Sequence, residues 1–306
     1  MQTQTILDQM ILVVLNISLW QGRKALQMGD LALNGIDVSK LPPGTLATLG
    51  SKRIISPDAV KIFIAQKRAA IKFCVQNGVR FGSDGYAVPR EKVDALSQEL
   101  KRLKGEFEAA KSDFLSVYEE EVDKWIASNP PEWSPIIRAA VDSPTHIKKM
   151  LSFNYAALDV RVPVEIDENG LDEEVSSLYG QLCHEVQVAA RHAFENSFVG
   201  KQEITHKTLR PIKLIREKLV GLLFLDPSIA ETIQVIDDTL AKLPEEGAIK
   251  GTDLNMVAGL VGRQLANMGR VVTEVEVVEE VPEEAIPADI IASLDTGRVA
   301  PITWDF

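Results

Sequence analysis

The chain has few aromatics, few cysteines and no long apolar run, and each shortage narrows what it can be. Aromatic residues make up 6% of its 306 positions, as expected of a helix-rich protein. The 2 cysteines, Cys74 and Cys183, both sit inside apolar helical patterns, so they read as buried reduced thiols rather than a disulfide or a metal pair. The apolar run Met10–Leu15 is far too short to cross a bilayer, which takes about 20 such residues. No Lys or Arg precedes Arg23, so the basic start of a secretory signal is missing and a cytoplasmic location is predicted.

Recognisable chemistry is equally scarce. The sequence holds no Ser, His and Asp grouping, phosphate loop or dinucleotide fingerprint, so no catalytic residue and no cofactor is predicted. His184 and His192 share a helix side but lie about two turns apart, too far to chelate one ion. Neither they nor His146 and His206 complete a metal-ligand spacing, and no metal site is predicted. Gly78, Gly82 and Gly85 surround Phe81 in a turn-rich loop that lacks the helix entry a phosphate loop needs.

What is present is ordinary globular material, 45% hydrophobic and 25% charged, enough for a sizeable core. The net charge of −11 is uneven. From Val271 to Phe306 there are 9 acidic residues and 1 basic one, Arg298, so this tail carries −8 and the remainder −3. The spacing predicts one mainly helical body over 1–270 and an acidic, extended tail over 271–306. The tail ends in Thr303-Trp304-Asp305-Phe306. Trp304, Asp305 and Phe306 read either as a docking peptide for a protein partner or as an end folded back on the body.

The clearest physical statement is a long helix over residues 89–128. Pro89 suits a first helical turn, where its missing N–H is no loss. Val93, Leu96, Leu100, Leu103, Phe107, Ala110, Phe114 and Val117 then keep one face apolar. Such a helix would span on the order of 55 Å and must lie against something along its length. Glu99 with Lys104 and Glu106 with Lys111 have the spacing of interchain pairs in a parallel coiled coil. Val93, Leu96, Leu100, Leu103, Phe107 and Phe114 would then be a self-association stripe in a homo-oligomer. Phe107 and Phe114 are bulky for a two-stranded seam, however. They favour an intrachain hairpin in which the helix over 171–198 covers the stripe.

Other elements follow from punctuation and period. Val13–Trp20 alternates like a half-buried strand, as does Tyr155–Ile166, where Pro163 marks an end or an edge. Pairing the two predicts a small two- or three-stranded sheet. Ser56-Pro57 opens a helix that Gly78 stops. Asn129-Pro130-Pro131 forces a break, and short helices follow over 135–141 and 144–151. Further helices are predicted over 208–223, 228–243 and 253–268. The fold class is therefore mainly α, with a helical hairpin or coiled-coil-like helices and a small sheet.

The best basic cluster is Lys201, Lys207, Arg210, Lys213, Arg216 and Lys218, opposed by Glu203 and Glu217. Lys207, Arg210, Lys213 and Arg216 would contact nucleic-acid phosphates in one reading and form a solvated helix face in the other. Lys61, Arg68 and Lys72 could add to the first.

Leu19-Trp20-Gln21-Gly22-Arg23-Lys24, Leu49-Gly50-Ser51-Lys52, Arg80-Phe81 through Tyr86-Ala87-Val88-Pro89, Phe224-Leu225-Asp226 and Leu243-Pro244 resemble the bacterial family catalogued as domain of unknown function 3150. The resemblance covers most of residues 9–265 and leaves the tail outside. It implies a phage or mobile-element protein that accompanies MoxR-type AAA ATPases and von Willebrand A proteins. It carries no catalytic residue. With the long stripe, it predicts a non-enzymatic helical adaptor or scaffold with a protein partner and no membrane contact. Nucleic-acid binding and an oligomeric structural role are the alternatives.

Overall fold

The computed structural model describes residues 2–269 apart from 34, 36 and 163–168. The tail over 271–306 lies outside the described residues. The chain divides into two compact units, where the sequence reading has one body over 1–270. Of the described residues, those up to 178 and 221–226 make the first, and 179–220 and 227–269 the second. No proline- or glycine-rich linker marks the boundary, because it falls between Leu178 and Tyr179, inside a continuous helix.

The first unit is a four-stranded antiparallel sheet with helices against it. Its chain order is α1 (Gln2–Leu7), β1 (Met10–Ser18), β2 (Arg23–Ala25), α2 (Met28–Leu33), β3 (Ser51–Arg53), α3 (Pro57–Asn77), β4 (Val79–Phe81), β5 (Gly85–Pro89), α4 (Val93–Ala127), α5 (Ser134–Ala140), α6 (Pro144–Met150) and β6 (Ser152–Leu158). The strands are ordered β4-β5-β1-β6, and β2 pairs separately with β3. The predicted pairing of the chain's start with its middle holds in part: Val13 faces Ala157 across β1 and β6, but β6 begins three residues before the predicted strand and ends at Leu158, so that Ile17 faces Phe153 and of the predicted Tyr155–Ile166 only Tyr155–Leu158 belongs to it. On its other edge β1 pairs with β5, Val13 facing Tyr86.

Two strands are thus added to the predicted sheet, and both come from the stretch read as a turn-rich loop. β5 is buried at all five positions, so it shows no alternation of polar and apolar residues to announce it. Pro89 belongs to this strand, opposite Met10, and the long helix begins at Val93 rather than at residue 89. The proline's fixed φ suits a strand end as well as a helix start, which is why position alone misassigns it.

Helix α3 follows its sequence signals closely. Ser56 accepts a hydrogen bond from the Asp58 N–H at 3.3 Å, Pro57 occupies the first turn, and the helix ends at Gly78. Gly78 is in extended backbone, so its role is close approach: a Cβ there would sit 2.5 Å from the Ala87 carbonyl oxygen. Helix α4 holds 35 residues and is about 52 Å long.

The stripe on α4 is the wall of the first unit's core. Leu96, Leu100, Leu103, Phe107 and Phe114 are buried, and Val93 is partly buried against them. Beyond Phe114 the buried line runs through Tyr118, Val122 and Ile126, while Val117 is 42% exposed. The covering residues come from α3 and β6 rather than from the helix over 171–198. Phe63 of α3 lies 5.1 Å from Phe107 and 5.7 Å from Phe114, edge-on in both cases. Phe153 of β6 lies 5.6 Å from Phe107. Trp20 and Tyr118 close the group against Phe114 at 6.0 and 5.8 Å. Six aromatic side chains thus meet in one group, which answers the bulk of Phe107 and Phe114.

Helix α7 (Asn169–Ser197) contributes Leu178 and the residues before it to the first unit and the remainder to the second. The second unit continues with β7 (Glu203–Ile204), α8 (Arg210–Gly221, whose last residue is assigned to the first unit), α9 (Ser228–Ala241), β8 (Ile249–Lys250) and α10 (Gly251–Gly259). β7 and β8 pair antiparallel. The helix predicted over 253–268 keeps α geometry only to Gly259, then widens into a π turn over Leu260–Gln264 and tightens over Leu265–Asn267. Gly259 and Gly262 supply little helix propensity there.

Candidate functional site

Two of the motifs that carry the family resemblance come together in the β2–β3 ribbon. Arg23 faces Arg53, Lys24 faces Lys52 and Ala25 faces Ser51. The ribbon is fastened to the core at its root. Trp20, buried in the aromatic group, donates its indole N–H to Asp142 at 3.0 Å, and Lys24 reaches the same carboxylate at 2.7 Å. Burial works to raise the Asp142 pKa, but the hydrogen bonds from Lys24 and Trp20, with the charges of Lys24 and His146, hold it below the usual carboxylate value. Lys52 pairs with Asp30 at 2.5 Å, with the two side chains only 13% and 12% exposed. The Lys52 contact and the Gln27 N–H lower the Asp30 pKa. The indole N–H of Trp125 donates to the Arg53 carbonyl oxygen at 3.2 Å. Gly22 has φ +64°, and a Cβ there would meet Ile55 at 2.6 Å, so only glycine fits this junction.

Residues 26–50 leave this ribbon as an arm. Its base is closed by the Leu26 N–H donating to the Gly50 carbonyl at 3.0 Å. Leu31 is buried and anchors α2. From Asp37 onward the arm is almost wholly solvent-exposed, and Leu46 is 77% exposed. An arm of this length with its ends tied is the form that binding loops commonly take.

The residues singled out by sequence fall elsewhere. Leu96, Leu100, Leu103, Phe107 and Phe114 belong to the interior of the first unit, and Val93 borders it. Lys207, Arg210 and Lys213 are exposed and make no ion pair among the described residues, whereas Arg216 forms a two-point pair with Asp237. Lys218 is buried with Glu185, which also accepts from Gln181 at 3.1 Å. Two of the six cations in the basic cluster thus serve intrachain pairs. Lys61 pairs with Asp58, and Lys67 donates to the Ile17 carbonyl. Cys74 and Cys183 are buried thiols outside any disulfide among the described residues, and burial pushes the Cys74 pKa up to about 12. Trp304, Asp305 and Phe306 lie outside the described residues. Among the described residues no three of His, Cys, Asp and Glu are grouped to hold a metal ion, and no helix is long and apolar enough to cross a membrane.

The β2–β3 ribbon is what sequence reasoning missed, whereas the absence of periodicity over 41–50 does mark the loop of the arm. A signal was available: Arg23-Lys24 and Lys52-Arg53 are mirror-image dipeptides, as an antiparallel pairing of like with like requires. No curated protein and no solved structure matches the chain. The profile of the family described as protein of unknown function, DUF3150, matches residues 7–265, and the chain belongs to that family.

Proposed function

We propose that this protein is a non-enzymatic helical adaptor of a mobile element or phage, holding a protein partner through the arm over residues 26–50. The single observation behind this is the arm itself: exposed, tied at its base, and rooted in the core by Trp20, Asp142 and Lys24. A rigid base lowers the ordering cost of docking, and an exposed leucine offers a partner an apolar anchor. The partner class follows from the family resemblance, a MoxR-type AAA ATPase or a von Willebrand A protein in the cytoplasm. Leu46→Asp in the full chain should abolish co-purification with such a partner while leaving the circular dichroism spectrum unchanged. Equal retention by wild type, Leu46→Asp and a chain with residues 37–47 replaced by glycine and serine would overturn the reading.

A second reading has its own observation. Lys207, Arg210 and Lys213, on and beside α8, are exposed and form no ion pair among the described residues, a cationic edge of the kind that suits nucleic-acid phosphates. Binding to single- or double-stranded DNA would weaken with salt and with Arg210→Ala and Lys213→Ala. No binding at low salt would refute it.

A further inference from the structure

We propose that Arg23 and Arg53 form a binding site for a phosphate group, on a free phosphate or on a nucleotide. Ile54 N–H donates to the Gly22 carbonyl and Leu26 N–H to the Gly50 carbonyl, which makes 22/54 and 26/50 hydrogen-bonded positions of the ribbon. Alternation along an antiparallel pair then makes 24/52 a third such position and Arg23/Arg53 a non-hydrogen-bonded one. In such a pair the Cα atoms are about 4.5 Å apart and the side chains leave the same face at their closest approach.

Like charges placed directly opposite each other destabilise a strand pair. The ribbon meets this twice and resolves it once. Lys24 and Lys52, on one face, each have their own carboxylate, Asp142 and Asp30. Arg23 and Arg53, on the other face, form no ion pair among the described residues, and both are partly buried. Burial, followed by the charge of Arg23, lowers the Arg53 pKa from its ordinary value. The backbone beneath the pair is fixed by the glycine at 22, by the buried Ile54 and Ile55 and by the Trp125 hydrogen bond, so the two arginines stay opposed at the level of their Cα atoms.

The ligand class follows from donor count and charge. Two guanidinium forks present about ten N–H donors and two positive charges. A carboxylate, with two oxygens and one charge, fills one fork. A phosphate monoester or free phosphate offers three or more oxygens and close to two negative charges, so it can accept a fork from each arginine. This inference is independent of the arm's partner and holds whether or not residues 26–50 dock to a protein.

The test is calorimetric titration of the full chain with inorganic phosphate, with adenosine monophosphate and with acetate, at equal ionic strength in chloride. Phosphate and the monophosphate should bind, acetate should not, and Arg23→Gln or Arg53→Gln should weaken binding by at least about tenfold. Arg23→Lys keeps the charge and the stem but loses the fork, and should weaken binding comparably. Without ligand, each single Arg→Gln variant should melt at a higher temperature than wild type, because it relieves the opposed charges. A merely structural arginine would give the reverse. Tighter binding of the monophosphate than of phosphate identifies a nucleotide as the source, and equal binding identifies the phosphate group alone. Absence of a phosphate response, equal response in the Gln variants, or equal binding of acetate would overturn the proposal. So would DNA binding that depends on these arginines with no response to phosphate.

Discussion

Phe107→Ala should destabilise the first unit by about 4 kcal/mol, while Val117→Ala on the same helix should cost less than about 0.5 kcal/mol. By sequence both residues sit on one apolar stripe. In the structure Phe107 is 0% exposed between Phe63 and Phe153, and Val117 is 42% exposed. A buried aromatic side chain covers roughly 150–250 Å², about 4–6 kcal/mol at ~25 cal/mol per Å² as an upper bound. Truncations of this kind in protein cores cost about 3–5 kcal/mol, which includes the lost ring contacts and the cavity left behind. At about 2–4 °C per kcal/mol for a unit of this size, the melting temperature should fall by about 8–16 °C. Trp20, Trp125 and Trp133 lie in the first unit, so urea unfolding followed by tryptophan fluorescence reports on it. A loss under about 1 kcal/mol for Phe107→Ala, or equal losses for the two variants, would refute the assignment of the stripe to the core. A midpoint that rises with protein concentration would also refute it, because that behaviour belongs to an interface between chains.

Other expectations are as direct. Lys218→Ala should cost about 3–5 kcal/mol by leaving Glu185 buried without its cation, while Lys218→Met combined with Glu185→Leu should be nearly neutral; chemical denaturation of the three chains measures both. Asp142→Asn should cost about 1–3 kcal/mol at neutral pH through its weakened contacts with Lys24 and Trp20. Because the folded carboxyl titrates below its unfolded value, that contribution is complete above about pH 4 and disappears as pH falls through the folded pKa, so the stability curves of wild type and Asp142→Asn should converge in acid. Neither Cys74 nor Cys183 should react with iodoacetamide in the folded chain, and both should do so in denaturant, as intact mass would show.

The elements that were legible in the sequence are those whose signals are local. Ser56-Pro57 and Asn129-Pro130-Pro131 fix helix ends through the chemistry of two or three adjacent residues, and α3 and the end of α4 fall where they indicate. The β1–β6 pairing was legible where apolar and polar residues alternate over Leu15–Ser18; the rest of β1 is apolar on both faces, and the alternation read at Asp159 and Arg161 lies beyond the end of β6. β5 was not legible, since a strand buried on both faces has no period to detect and its glycine and proline resemble turn residues. Likewise, the 3–4 spacing told that α4 has an apolar face but not which residue ends it: after Phe114 the helix turns inward at Tyr118 rather than at Val117. The candidate site was hidden because its two halves are separated by the arm over 26–50, and local periodicity does not pair strands across such a distance.

The same separation governs how the site can be probed. Trp20 packs on Phe114 and Tyr118 and also holds Asp142, which in turn holds Lys24. Any substitution along that line perturbs the aromatic core and the ribbon together, and a loss of binding there would not distinguish a missing contact from a loosened unit. Leu46 and Arg23 escape this coupling. Leu46 projects from the arm into solvent, and Arg23 lies on the ribbon face opposite Lys24. Substituting Leu46 should remove protein capture without changing stability, and substituting Arg23 should remove phosphate binding while raising stability. Those two opposite signatures, obtained in one folded background, separate the adaptor reading from the anion site and each of them from a general loss of structure.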